Sequence, residues 1–496
     1  MALAGTRWLI DRHVAQGRSR REALVEVDGT CPRRSLTYGE LLEATVTLRA
    51  ELEARLPSCR ALVALSGSAT IELAVAWLAV MRAGHVALLV APGLPAAAWS
   101  ELVARLQPAL CLRDRTADGF KGDLVAVRPG PSAAASFADA DVERRSADPV
   151  LALVTSGSTG YPKVCVHRRA AFGGFHEHVT QAAWGIASSD RVLAASGPHF
   201  SFGLQGLHVP LSVGATAVLR PASPRHVGFL EVAEAERVTV TLAVPTFYHL
   251  LARKAERPYD LKTLRLSLAA GEHLPPAVRE RWREFSGGAT ILNSIGTTET
   301  FLPYLTERVA DEAGALRRIG AFSYRLVPAE SFVVASVASP FSMLGYLTGP
   351  LDSFCPSESP WIDTHDVFAE RRDAGFDFVG RRSEYTKVAG CWVAPSMLED
   401  FLFVQAGVTG ASAVVVRGPE GLQRLRAFVT LAPGAAQDPA GWLSSITARM
   451  EGLRPRALRP DEVRIVSELP VSPSGKVLKR ALEGAPFEAG ALVGGP

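Results

Sequence analysis

The stretch LVTSGSTGYPK, residues 153–163, governs how the rest of the chain is read. An apolar run from Val150 to Val154 leads into it and has the length of a buried strand. Four hydroxyl residues come next, Thr155, Ser156, Ser158 and Thr159, spaced by Gly157 and Gly160, and the stretch closes on Pro162-Lys163. Glycines let backbone N–H groups close around an anion, hydroxyls add donors, and a lysine adds a point charge. That combination suits a polyphosphate. A Walker loop requires Gly-x-x-x-x-Gly-Lys-Ser/Thr, whereas Lys163 lies three residues beyond Gly160 and behind a proline, so that reading fails. A Ser/Gly surface loop is the competing reading of this stretch taken alone. The density of hydroxyl, glycine and lysine directly after a strand favours the nucleotide.

The chain has 496 residues, enough for two or more domains, and its 48% hydrophobic and 21% charged content is that of a globular protein with a large core. A net charge of +3 argues against a broad basic field for nucleic acid, and the arginines at 18, 20 and 21 read as a solvated face. Six scattered cysteines show no paired spacing, which implies reduced thiols in a cytoplasmic protein and neither a disulfide frame nor a zinc site. The longest apolar run, residues 73–81, falls far short of the roughly 20 residues of a membrane span. The first residues lack the basic start and apolar core of a signal peptide. No membrane or nucleic-acid partner is expected.

Thr37-Tyr38-Gly39-Glu40 has the spacing of a helix capping box, with a helix predicted to about residue 56. Strands are predicted over 61–65, 85–90 and 109–112, and helices over 70–82 and 95–106. This alternation implies a parallel sheet covered by helices. A Pro/Ala/Ser stretch over 129–140 reads as a surface loop. Residues 170–184 should be helical, 238–244 a strand, Pro245-Thr246 a turn, 247–254 a helix and 264–269 a strand. From Gly380 the chain changes character: a short helix, strands over 412–417 and 426–431, a helix near 442–450, a strand near 463–466 and the loop PVSPSGK. The expected fold class is α/β, with a large N-terminal domain of layered, parallel-rich sheets and helices over 1–382. A small, mobile α+β C-terminal domain is expected over 383–496.

TSGSTGYPK resembles the phosphate-loop signature of the adenylate-forming superfamily of acyl-CoA synthetases, peptide-synthetase adenylation domains and luciferases. Four further motifs stand in that family's order. In SIGTTET, residues 294–300, the resemblance implies that Ile295, Gly296 and Thr297 border the nucleotide, that Thr298 donates to the α-phosphate and that Glu299 holds Mg²⁺. A helix cap is the alternative reading of Thr-Thr-Glu. In AAGEHLP, Ala270, Gly271 and Glu272 would lie against the adenine. Asp366 of WIDTHDVF matches the aspartate that accepts the ribose hydroxyls, which suits a carboxylate, with Arg381 beside it and Lys387 nearby. Lys476 of PVSPSGKVLKR matches the mobile catalytic lysine.

Within the family, the chain is most similar to benzoate-type aryl-CoA ligases, on GLQGLHVPLSVGATAVL, LAAGEHLPPAVRERW, SIGTTE and KVAGCWVAP. Residues 197–203 hold no acidic side chain to bind an amino acid's ammonium, so the resemblance implies a neutral aryl pocket. Phe200, Ser201, Phe202, Val209 and Leu302 are its expected lining, with Gly390 and Trp392 beside a tunnel for a thiol. The implied activity is ATP-dependent formation of an aryl-AMP from an aromatic carboxylic acid. Transfer to coenzyme A would come second; the alternatives are loading onto the phosphopantetheine of a carrier protein, or activation of another oxyacid or transfer to an amine, and the scheme allows a homodimer. The chain departs from the family pattern in four places: Ser383 at the hinge, His365 inside the usual Thr-Gly-Asp, Leu302 where benzoate-type enzymes carry histidine, and a shortened segment over 319–347.

Overall fold

The computed structural model describes residues 7–27, 32–56, 60–113, 147–155, 163–221, 226–311, 314–329, 332–382, 386–388, 391–417, 422–453, 455–471 and 477–484. The stretch over 129–140 lies outside them, as do Ser156 to Pro162, Ser383, Gly390 and Lys476.

The capping box forms as expected. Thr37 accepts from the Glu40 N–H and Glu40 reaches back to the Thr37 N–H, opening the helix Tyr38–Arg55. The next helix, Ile71–Arg82, starts at a Thr70 cap and buries eleven of its twelve residues. A helix apolar all round needs cover on every side, and the two large sheets supply it. The strands Leu62–Ser66 and Val86–Val90 pair in parallel. Val63, Leu65, Ala87 and Leu89 face the core that includes Trp77 and Met81. Leu62, Ala64, Val86 and Leu88 face the opposite way, onto Trp99, Leu102 and Leu106 of the helix Ala96–Leu106. Burial on both faces is why these strands read as continuous apolar runs rather than alternating ones.

That six-stranded sheet runs in the order 345–346, 163–168, 149–155, 86–90, 62–66, 110–113. A nine-stranded sheet runs 317–318, 305–306, 290–295, 266–270, 240–243, 191–194, 216–219, 22–26, 34–37. Its six central strands are parallel and its ends antiparallel. Val192, Leu242 and Leu268 face the shared helical layer. Leu193, Ala243 and Ala269 face Phe229, Phe247 and Trp282 on the outer helices. Helix, sheet, helix, sheet and helix therefore stack in five layers. Three smaller sheets complete the described residues: an antiparallel four-stranded one, 323–329, 332–338, 361–370 and 376–381, a two-stranded hairpin, 386–388 and 391–393, and a three-stranded one, 408–417, 423–431 and 462–465. The last has its own core around Leu398, Leu425, Val429 and Ile446.

One local expectation is corrected. Pro245 does not turn the chain. It is the first residue of the helix Pro245–Lys254, where its fixed φ suits the first turn and its missing N–H costs nothing.

Candidate active site

Thr155 and Lys163 stand directly opposite each other at the ends of the antiparallel strands Pro149–Thr155 and Lys163–Arg168. The hydroxyl and glycine residues between them, Ser156, Gly157, Ser158, Thr159 and Gly160, lie outside the described residues. The Lys163 ammonium sits 5.1 Å from the centre of the Tyr346 ring. Tyr346 is held there by the short strand Gly345–Tyr346, which pairs with Cys165 and Val166. Its hydroxyl donates to Glu299 Oε1 at 2.8 Å. Burial and the charge of Glu299 push the phenol's pKa up, so it stays a donor.

Glu299 belongs to the loop after the strand Thr290–Ile295. The loop is tied by a reciprocal pair: the Thr297 N–H donates to Thr300 Oγ1 at 3.0 Å and the Thr300 N–H to Thr297 Oγ1 at 3.3 Å. No helix begins after Thr298 and Glu299, which removes the helix-cap reading. Gly296 is required by space, because a Cβ there would stand 2.9 Å from Pro303 Cα. Gly296 to Glu299 are half-buried and reachable. The Met343 N–H fixes the Glu299 carbonyl at 2.8 Å. Among the described residues, Glu299 Oε2 has no hydrogen-bond partner, which leaves a hard oxygen suited to Mg²⁺ alongside phosphate oxygens.

Asp366 lies on the strand Trp361–Glu370, cross-strand from Arg381. Arg381 Nε is 2.8 Å from Asp366 Oδ1, and the aspartate side chain is only 2% exposed. The hydroxyl of Tyr304 donates to Oδ2. The Asp366 N–H donates to Thr364 Oγ1 at 3.2 Å, and the Thr364 hydroxyl donates to the Ala335 carbonyl at 2.7 Å. His365, in the usual glycine position, has φ of 57°, a conformation that glycine adopts freely and histidine does not.

Gly271, Glu272, Ile295, Gly296, Asp366 and Arg381 all border one cavity of about 460 Å³, and its far wall includes Glu399, Ser412 and Val477 from the C-terminal part. Gly271 turns at φ 91° directly after the strand Leu266–Ala270. The carboxylate of Glu272 spans two elements, accepting from the Thr246 N–H with Oε2 and from the Val477 N–H with Oε1, each at 3.1 Å. His273 Nε2 lies 2.8 Å from Asp400 Oδ1, and His249 bonds the Thr409 carbonyl, so the same face carries the contacts to the C-terminal part.

Around the expected aryl pocket the outcome divides. Phe200, Ser201 and Phe202 are half-buried at the start of the helix Ser201–Val213. The His199 ring packs against Phe200 with centroids 4.3 Å apart and the planes tilted by 50°, and burial lowers its pKa to about 4, so it is neutral. Val209 and Leu302 are fully buried in the main core and present no surface to a ligand. Their apolar character serves packing, which corrects their assignment to the pocket. Lys387 is exposed on a hairpin opposite Trp392 and away from the cavity wall. Two residues went unnoticed in the sequence, Tyr304 and Tyr346. Each sits in an apolar context that reads as core, and only the tertiary structure shows which carboxylate its hydroxyl meets.

Over 95% of its length the chain is 26% identical to the 4-hydroxybenzoate–CoA/benzoate–CoA ligase of Rhodopseudomonas palustris, covering 92% of that protein. It is 28% identical to the p-hydroxybenzoic acid–AMP ligase of Mycobacterium tuberculosis over 90% of this chain and 65% of that one. Among solved structures it is similar to an anthranilate CoA ligase in complex with anthranoyl-AMP, with TM-score 0.82, 22% identity and 97% of each chain covered. It is also similar to a benzoate CoA ligase from Burkholderia xenovorans LB400, with TM-score 0.79, 24% identity and coverage of 97% and 99%. At those identities the solved structures establish the fold. The model of the AMP-binding enzyme family matches residues 11–331, which span the nine-stranded sheet, the six-stranded sheet except its edge strand at 345–346, and the Thr-Thr-Glu loop, and the chain belongs to that family.

Proposed function

We propose that the protein activates an aromatic carboxylic acid with ATP to an aryl-AMP and transfers the aryl group to the thiol of coenzyme A. The observation that carries this reading is the convergence on one cavity of the Gly271–Glu272 turn, Gly296 and the pair of buried Asp366 with exposed Arg381. Purine, phosphate and ribose would each meet the matching chemistry there. The names of the similar ligases, and the lack of an acidic residue over 197–203, support an aryl acid rather than an amino acid.

In the first step a carboxylate oxygen attacks the α-phosphorus, the new P–O bond forms, and the bond to pyrophosphate breaks in line. Asp366 holds the ribose diol, Thr298 donates to the α-phosphate, and Lys163 with the 155–163 loop offsets the phosphate charge. Glu299 would hold Mg²⁺, which neutralises phosphate charge when bound. Lys476 bridges the carboxylate and the α-phosphate in this step. In the second step the thiol sulfur attacks the acyl carbon, AMP leaves with the bonding pair, and the thiol proton passes to solvent. We assign residues 1–382 and 383–496 as the large and small units, the small one rotating between the two steps. The reaction would draw on cytoplasmic ATP and coenzyme A.

The p-hydroxybenzoic acid–AMP ligase similar over 90% of this chain favours a second reading, in which the aryl-AMP goes to a carrier protein's phosphopantetheine. The test is pyrophosphate release with ATP and Mg²⁺ across benzoates, aminobenzoates, hydroxybenzoates and cinnamates, with and without coenzyme A. Release with one aryl class, together with a CoA thioester by mass, supports the ligase. Release without thioester moves the acceptor to a carrier protein. No release with any acid refutes the aryl reading.

A further inference from the structure

Tyr304 reaches Asp366 from the side of the nine-stranded sheet, whereas Asp366 belongs to the four-stranded one. The tyrosine is fully buried, and its ring packs edge-on against Phe368 with centroids 6.3 Å apart. Its main chain is fixed at both ends. Its N–H donates to the Ile295 carbonyl at 2.9 Å, and its carbonyl accepts from the Ile319 N–H at 3.1 Å and from the Tyr324 hydroxyl. Neither ring nor backbone has room to shift. The one polar atom of this side chain, the hydroxyl, is spent on Asp366 Oδ2, while Arg381 faces Oδ1. A carboxylate oxygen has two lone-pair sites. With Oδ2 on a fixed donor and Oδ1 in an ion pair, the carboxylate cannot rotate about its terminal bond without losing both contacts.

We infer that Tyr304 is a positioning residue for nucleotide recognition, fixing the Asp366 carboxylate so that it accepts the vicinal hydroxyls of the ribose. The inference rests on the ribose role proposed for Asp366. It links the loop beginning at Ile295 to the ribose strand, so the phosphate and sugar subsites keep a set spacing through one side chain. The requirement is for a hydroxyl at the far end of an aromatic ring, which neither phenylalanine nor an aliphatic residue meets.

The test compares Tyr304→Phe with wild type on ATP and on 2′,3′-dideoxy-ATP, by nucleotide binding and by pyrophosphate release. Wild type should prefer ATP by at least about tenfold. Loss of a hydrogen bond to a charged group should weaken ATP binding in Y304F by about 10–100-fold. The change should appear in KM rather than kcat, and the penalty on dideoxy-ATP should stay below about threefold. A wild type indifferent to the ribose hydroxyls overturns the Asp366 reading and this inference with it. A wild type that discriminates, with Y304F weakened equally for both nucleotides, leaves Asp366 in place and overturns Tyr304 alone. If Y304F melts below the assay temperature, 3-fluorotyrosine at 304 keeps the ring and hydroxyl and changes the acidity of the donor. It should alter the ATP to dideoxy-ATP ratio, and an unchanged ratio refutes the inference.

Discussion

Removing the carboxylate of Glu272 should slow adenylation more than thioester formation. Its Oε2 accepts the Thr246 N–H at the start of the helix Pro245–Lys254, where the unpaired N–H groups of the first turn favour an anion. Its Oε1 accepts the Val477 N–H. Val477 directly succeeds Lys476, the lysine assigned to adenylation, and adjacent Cα atoms are about 3.8 Å apart. The Glu272 bond therefore restrains the chain one residue from that lysine. Hydrogen bonds to charged groups contribute about 1.5–3 kcal/mol. Glu272 is partly exposed, and solvent screening discounts that range to about 1–2 kcal/mol, or roughly 5–30-fold in rate. Glu272→Ala should lower ATP–pyrophosphate exchange by that factor. Formation of thioester from supplied aryl-AMP and coenzyme A should change less than about twofold, because the proposed rotation withdraws the lysine in that step. Glu272→Gln keeps one acceptor oxygen and should fall between Ala and wild type. Equal loss in both half-reactions would refute the reasoning and reduce Glu272 to a helix cap.

Lys476→Ala should remove most adenylation but leave thioester formation from supplied aryl-AMP, measured in the same pair of assays; parallel loss contradicts its role. Arg279 holds the buried Glu307 with its two terminal guanidinium nitrogens, at 2.9 and 2.5 Å, and the Asn293 N–H adds a third contact at 3.0 Å. Arg279→Met strands that carboxylate and should cost about 3 kcal/mol by denaturant titration, with more than half recovered on adding Glu307→Gln. Asp190 is buried, which raises its pKa, but Arg265 at 2.6 Å, the Ala187 N–H and the Thr239 hydroxyl outweigh burial and leave it below the ordinary 3.8. A carboxyl whose folded pKa is depressed adds stability above its unfolded pKa and loses it as pH falls through the folded value. The stability gap between wild type and Asp190→Asn should therefore hold at pH 7 and narrow below about pH 4; a gap constant from pH 7 to 3 refutes this.

The helices and parallel strands of the large layers were legible because each carries its own local signal. Thr37 and Glu40 are a cap wherever they occur, and the apolar runs at 62–66 and 86–90 have few alternatives to a doubly covered strand. The Asp366–Arg381 pair was legible from motif order. Pro245 was misread because proline opens both turns and helices, and the residues C-terminal to it decide between the two. Val209 and Leu302 were misread because an apolar side chain looks the same in sequence whether it faces a ring or a core. The contacts of Tyr304 and Tyr346 could not be read at all, and Glu272, placed against the adenine by motif, gave no sign of its bond to the Val477 N–H. Their partners stand 62, 47 and 205 positions away on other parts of the fold, and no local periodicity encodes such a meeting.

The candidate site draws Lys163 and Tyr346 from the six-stranded sheet, Gly271 and Gly296 from the ends of the nine-stranded one, and Asp366 from the four-stranded one, and the three-stranded sheet closes the far wall of its cavity. A nucleotide seated there touches three sheets that share the main core and a fourth, the three-stranded one, that has its own. It behaves as a cross-brace as well as a reactant. Ligand at 100 times its Kd adds about 2.7 kcal/mol to the stability of whatever must be intact to bind it. Here that is both cores at once, so one spectroscopic label in the nine-stranded sheet and one in the three-stranded sheet should melt at separate temperatures in the empty protein and at a common, higher one when ATP is bound.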